Sequence, residues 1–142
     1  MTTKELGILG ETQVLAKFAS LGIPVSIPFG DNSSYDLIVE LKKKLYKIQV
    51  KTSSQTAEDK TVFKIAKTRI NQSENITSYY TEEEVDFYAL YSITKNEIYL
   101  VPFKEAANKE ISIRHQLPKN GQVDKIKMDY NYLIDNKIKD FI

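Results

Sequence analysis

The chain has no cysteine and a single histidine, His115, among its 142 residues. Thiolate nucleophiles and cysteine-based zinc sites are excluded, and a Ser-His-Asp triad is left with one candidate base. Chemistry has to come from carboxylates, amides and lysines. An excess of one charge is missing too: 20 Lys plus Arg stand against 19 Asp plus Glu, a formal net charge of +1. Gross electrostatics therefore do not single out a nucleic acid as partner, and any phosphate-binding charge must be local. No apolar run approaches the roughly 20 residues needed to span a bilayer. The start, Met1-Thr2-Thr3-Lys4-Glu5-Leu6, lacks the apolar stretch of a signal peptide. A cytoplasmic protein without membrane association is expected.

What is present is enough for one ordinary core, since 42% of the residues are apolar. The 5 glycines and 4 prolines are scattered as turn punctuation, and no repeat or linker interrupts the chain, so residues 1–142 read as a single domain. From Thr3 to Leu21 the pattern is helical, with Ile8, Leu15 and Phe18 on one stripe, Leu6, Val14 and Leu21 flanking it, and Gly22 as cap. Glu11 falls between Ile8 and Leu15, on the core-facing stripe. A glutamate there is expensive unless it is paired or ligates a cation, although an ordinary acid in the first half of a helix is the competing reading.

Ile23 to Ile27 reads as a short strand and residues 28–34 as a loop of turn formers. Tyr35 to Leu41 and Leu45 to Lys51 form a hairpin with Lys42-Lys43-Lys44 at its tip, where charge also discourages edge-to-edge pairing. Thr61 to Ala66 reads as a strand, and residues 67–81 are polar and without a clear period. Val85 to Ile93 and Glu97 to Phe103 form a second hairpin, rich in β-branched and aromatic residues. Beyond it, a short helix near Lys104 to Asn108, short strands and a final helical turn at Asn136 to Phe141 are expected. His115 reads as a surface residue, and Tyr79, Tyr80, Tyr130 and Tyr132 as core rather than interface.

If the first hairpin is symmetric about its lysine tip, Glu40 pairs with Lys47, Ile38 with Gln49 and Asp36 with Lys51. Alternation then puts Leu37, Val39, Leu41, Tyr46, Ile48 and Val50 on a core face and brings Asp36, Gln49 and Lys51 together on the other. Cross-strand and diagonal neighbours lie about 5 to 8 Å apart, close enough to engage one metal ion and one phosphate. Packing the helix on this sheet adds Glu11. Such oxygen ligands suit Mg2+, with Mn2+ as a substitute, and Lys51 can stabilise charge on a phosphate. On spacing alone a plain hairpin with a surface ion pair between Asp36 and Lys51 is equally ordinary.

Tyr35-Asp36-Leu37-Ile38, followed by Ile48-Gln49-Val50-Lys51-Thr52 and preceded by a helix carrying Gly7-Ile8-Leu9-Gly10-Glu11, resembles the PD-(D/E)XK nuclease superfamily. More narrowly it is similar to the group I intron-associated homing endonucleases, whose third site position is also glutamine. Gly22-Ile23-Pro24-Val25, Pro28, Val85-Asp86-Phe87-Tyr88-Ala89 and Ile98-Tyr99-Leu100-Val101-Pro102 extend the likeness over residues 5–103. The resemblance implies an α/β (α+β) fold: a restriction-endonuclease-like αβββαβ core with a central mixed β-sheet flanked by helices. It implies divalent-metal hydrolysis of phosphodiester bonds in double-stranded DNA by a homodimer or homotetramer. Asp36 is then the central metal ligand, Gln49 an amide ligand and the Val50 carbonyl a further one, with Lys51 the catalytic lysine and Glu11 the helix acid. The motif's proline is replaced by Tyr35, and Gln49 brings no negative charge, which lowers the expected metal affinity.

Local DNA-contacting charge is sought after the hairpin, at Lys64, Lys67 and Arg69, with Ser53 in the polar stretch 52–56 as a further candidate. A solvated strand and loop is the competing reading. Two other functions use the same residues: a Holliday-junction resolvase-like nuclease, separated by cleavage of four-way junctions in preference to linear duplex, and a DNA-binding domain weakened in catalysis by Gln49.

Overall fold

The computed structural model describes residues 1–70 and 72–142, with residues 68–70 described by their backbone alone. The chain opens in helix α1 (Thr3–Ser20), whose start is a reciprocal cap: Glu5 N–H donates to the Thr2 hydroxyl at 3.2 Å and Thr2 N–H donates to the Glu5 carboxylate at 2.7 Å. Lys17 lies in its last turn, and Gly22, at φ +73°, takes the left-handed conformation that turns the chain away. Strands β1 (Val25–Ser26), β2 (Leu37–Leu41), β3 (Lys44–Ser53), β4 (Lys60–Lys64), β5 (Lys67–Ile70), β6 (Asn75–Ser78), β7 (Phe87–Ser92), β8 (Glu97–Pro102) and β9 (Glu110–Arg114) follow, and the short helices α2 (Asp129–Tyr132) and α3 (Ile134–Lys137) come near the end.

The central sheet has the order β1-β2-β3-β7-β8 and is mixed, since β3 and β7 run parallel while its other pairs are antiparallel. This is the fold class expected from the sequence. One detail of the expected core differs. A parallel connection is usually made by a helix, whereas among the described residues the β3 to β7 crossover holds strands and turns: β4 pairs with β9, and β5 with β6. The reason is in the side-chain period. Thr61, Phe63 and Ile65 are buried while Lys60, Val62 and Lys64 are not, an alternation that suits a strand.

Both faces of the sheet are covered. On one, Val14 and Phe18 of α1 pack with Leu37, Val39, Ile48, Ala89 and Leu100, joined by Ile134 and Ile138 from the C-terminal helical segment. On the other, Phe63, Ile65, Ile111 and Ile113 from the β4-β9 ribbon cover Tyr88, Leu90, Tyr99 and Val101. Strand β7 is accordingly buried along its whole length. The last forty residues, weakly patterned in sequence, thus close both layers. No helix among the described residues is long and apolar enough to cross a membrane.

The hairpin register is corrected by the turn. Lys42 and Lys43 alone form it, both at positive φ (51° and 66°), the tight two-residue reversal that matches strand twist. Lys44 joins β3, and Glu40 lies opposite Leu45, Ile38 opposite Lys47 and Leu37 opposite Ile48. The expected pairs, Glu40 with Lys47 and Asp36 with Lys51, are off by two residues. A shift of two leaves every side chain on its expected face, so the core and polar faces hold. His115 is not a surface residue: its side chain is 5% exposed, bonded to the Thr61 hydroxyl at 2.8 Å and the Asp129 carboxylate at 2.9 Å, tying β4 to α2. Tyr130 and Tyr79 are exposed rather than core.

The helix stripe is also corrected. Ile8 is 56% exposed, and the buried line runs Gly10, Val14, Phe18. Gly10 decides this, because a Cβ there would sit 1.8 Å from the Thr52 hydroxyl on β3, so only glycine lets α1 approach so closely. Thr52 Oγ1 is itself buried without a hydrogen-bond partner. Gly10→Ala is expected to lower unfolding stability by about 1–3 kcal/mol in urea. Adding Thr52→Ala, which removes both the clash and the unsatisfied hydroxyl, should recover part of that loss. A Gly10→Ala protein with the wild-type midpoint would contradict this account of the helix-sheet contact.

Candidate active site

Strand β3 outruns β2. Their paired register ends at Leu37 and Ile48, although β3 continues to Ser53. Asp36 stands at that end: its N–H donates to the Ile48 carbonyl at 2.8 Å, and its carboxylate accepts the Val50 N–H at 2.8 Å, satisfying an amide that β2 no longer reaches. The same carboxylate oxygen accepts from the Gln49 amide nitrogen at 2.9 Å. That nitrogen also donates to the Val50 carbonyl at 3.2 Å, and Gln49 is buried, 8% exposed.

Glu11 arrives from α1, one residue beyond the Gly10 contact. It is not on the buried stripe, as the sequence pattern suggested, but at its exposed margin. Its carboxyl is pushed up to about 6 by partial burial, then by the charge of the facing Asp36 and a hydrogen bond to it. Burial also pushes the Asp36 carboxyl up, opposed by the Val50 N–H, Glu11 and the Lys51 charge. With no cation between them, two facing carboxyl groups resist ionising together, so Glu11 keeps its proton to a higher pH than a free carboxyl does.

Among the described residues no cluster of three or more His, Cys, Asp or Glu is arranged to hold a metal. The oxygen donors nonetheless converge. The Gln49 NH2 bridges the Asp36 carboxylate and the Val50 carbonyl, so a hydrogen-bond donor occupies the point on which both oxygens are aimed. Turning the amide over directs its own oxygen there. With Glu11 beside Asp36, the set comprises carboxylate, amide and carbonyl oxygens, a donor set that fits Mg2+ or Mn2+.

Lys51 follows on the same strand, half-buried, its ammonium pushed down by burial, held up by Asp36 and lowered further by Lys67. Its nitrogen donates to the Tyr80 hydroxyl at 3.1 Å. Sequence patterning did not assign Tyr80 to the site, since residues 67–81 have no period to place it and its proximity to β3 is purely tertiary. Glu11 and Asp36 also line a cleft of about 260 Å3 with Ile27, Pro28, Gly30 and Tyr35 from the loop before β2.

The expected DNA contacts divide. Lys64 is exposed on the outer side of β4 and, with Lys60, Ser54, Gln55 and Thr56, lines a groove of about 540 Å3. Lys67 pairs with Glu84 at 3.1 Å. Ser53 is turned inward, 9% exposed, with its hydroxyl bonded to the backbone of Gln55, so it shapes a turn rather than presenting itself to a ligand. The Arg69 side chain lies outside the described residues.

A helix laid on a mixed sheet, with an acid, an amide and a lysine gathered where two strands part, defines a restriction-endonuclease-like protein. The chain belongs to the PD-(D/E)XK endonuclease family, whose model matches residues 1–135. Its fold is similar to that of the bacterial homing endonuclease I-Ssp6803I, with a TM-score of 0.79 and 22% sequence identity over 98% of this chain and 93% of that one. No curated protein matches the sequence.

The Glu11 shift sets a pH dependence for the metal-free protein. A carboxyl whose folded pKa, about 6, lies above its unfolded value of 4.5 adds stability below the lower value and loses it as pH rises through the upper. In EDTA, Glu11→Gln is therefore expected to raise the Tm relative to wild type at pH 8 more than at pH 4.5. An equal effect at both would contradict the carboxyl pairing.

Proposed function

We propose that the chain is a divalent-metal-dependent endonuclease that hydrolyses phosphodiester bonds in double-stranded DNA, of the sequence-specific homing type. The observation that carries this reading is the convergence of the Asp36 carboxylate, the Gln49 amide and the Val50 carbonyl beside Glu11, with the Lys51 ammonium next along β3. The nuclease family of the chain supports DNA as substrate, and the similarity to a bacterial homing endonuclease supports the homing type.

Glu11, Asp36, Gln49 and the Val50 carbonyl hold the metal, Mg2+ or in its place Mn2+. When bound there it supplies Lewis-acid polarisation of a phosphodiester oxygen and a more acidic attacking water. Asp36 fixes the site by its bond to the Val50 N–H, so the ligand oxygens are preorganised by the backbone itself. Lys51 sets positive charge against an oxygen of the scissile phosphate as the water oxygen bonds to phosphorus and the ester bond breaks. Lys64 and Arg69 contact the DNA backbone, whereas Lys67, also expected there from the sequence, is engaged by Glu84 and the Tyr80 ring. Residues 1–142 act as one unit, because β9 and α3 complete the two layers that hold the sheet. A double-strand break needs two such sites, which a homodimer or homotetramer supplies by symmetry.

Lys51→Ala is expected to abolish Mg2+-dependent cleavage while leaving duplex affinity within about twofold. Unimpaired cutting by that purified variant would remove Lys51 from the mechanism. Gln49→Glu adds a negative charge to the ligand set and should tighten Mg2+ binding measured by calorimetry; an unchanged affinity would argue against ligation by residue 49. The activity itself is tested by digesting a genomic library with Mg2+ and sequencing the ends. Recurrent ends at one long sequence support the homing reading, and cleavage of four-way junctions without any recurrent linear site would contradict it.

A further inference from the structure

Tyr80 leaves the end of β6 and returns to the catalytic strand. Its hydroxyl accepts the 3.1 Å hydrogen bond from Lys51, and its ring centroid lies 5.0 Å from the same nitrogen. A second ammonium, that of Lys67, sits 4.4 Å from the ring centroid. The ring is itself anchored, edge-on to Tyr88 at 5.9 Å and 77°. The turn beyond it is closed by Glu84, which accepts from the Thr81 N–H at 3.0 Å and hydroxyl at 3.3 Å and also holds Lys67 at 3.1 Å. The Tyr80 ring thus lies against Lys51, Lys67 and Tyr88, and Lys67 is in turn held by Glu84.

We propose that Tyr80 is the positioning residue of the nuclease site: its hydroxyl and ring hold the Lys51 ammonium beside Asp36, oriented toward the scissile phosphate. This rests on the reading of Lys51 as the phosphate-facing lysine. Lysine carries its charge on a flexible four-carbon stem, and left to itself the ammonium would settle on the nearest carboxylate. Asp36 acts on it through charge, while the hydrogen bond goes to a phenol. Burial pushes that phenol up, so it accepts as a neutral group and leaves the lysine charge uncancelled. One of the three ammonium N–H donors is spent on Tyr80, and among the described residues it makes no other hydrogen bond, which leaves donors for phosphate oxygens. Lys67 serves the same arrangement from a distance, since its charge over the ring and its pair with Glu84 lock the phenol in place.

Tyr80→Phe keeps the ring, its packing on Tyr88 and both cations above it, and removes only the acceptor. On a duplex carrying a recovered cut site, its single-turnover rate is expected to fall about 10- to 100-fold, the scale of a small misplacement of a reacting group. Duplex Kd should stay within about twofold and Tm unchanged. In proton-nitrogen spectra of the metal-free protein, the Lys51 ammonium should give an exchange-protected signal that Tyr80→Phe loses. A wild-type rate in Tyr80→Phe, with Lys51→Ala inactive, would overturn the positioning role and leave the nuclease site standing. A rate loss matched by weaker DNA binding or a lower Tm would overturn it as well. Wild-type cleavage by Lys51→Ala would instead bring down the underlying assignment of Lys51.

Discussion

The bond from the Val50 N–H to the Asp36 carboxylate is the constraint on which the site depends. It exists because β2 ends its pairing at Leu37 while β3 runs on to Ser53, leaving the edge of β3 with an amide to satisfy. An unpaired buried N–H is costly, and a carboxylate is a strong acceptor for it. The same short stretch of backbone that binds Asp36 also offers the Val50 carbonyl and carries Gln49 and Lys51 on its polar face. One local mismatch in strand length thus gathers the polar groups, and the sheet behind it is buried on both faces and cannot easily yield.

Glu11 reaches this point through a different contact. Gly10 against Thr52 sets how closely α1 lies on β3, and Glu11 follows Gly10 by one residue. A side chain at position 10 would lift the helix and carry the glutamate away from Asp36. Stability and site geometry are coupled there: the residue that makes the core tight also sets the separation of the two carboxyl groups. Partial burial is the first cause of the raised Glu11 pKa and the facing Asp36 charge the second, and a divalent ion held between the two carboxyl groups would relieve both.

Much of this was legible in the sequence because it depends on parity. The alternation of Leu37, Val39 and Leu41 with Asp36, Ile38 and Glu40 fixes the faces of β2 whatever the exact register, so Asp36, Gln49 and Lys51 fell on one side even though the pairing was off by two. The tip could not be read so well, since three consecutive lysines hide which two adopt positive φ. Ile8 was misread for a steric reason: glycine adds nothing to a hydrophobic stripe, yet Gly10 is what the sheet touches. Tyr80, the inward turn of Ser53 and the burial of His115 depend on contacts between segments far apart in sequence. Neither periodicity nor composition carries such contacts.

Anomalous diffraction from crystals of the protein grown with Mn2+ tests the central claim most directly. The account predicts an ion bound to the Asp36 carboxylate and the Val50 carbonyl, with the Gln49 amide turned over so that its oxygen replaces the NH2 now bridging them. An ion held elsewhere, or a Gln49 amide that still donates to Asp36 in the saturated crystal, would contradict it.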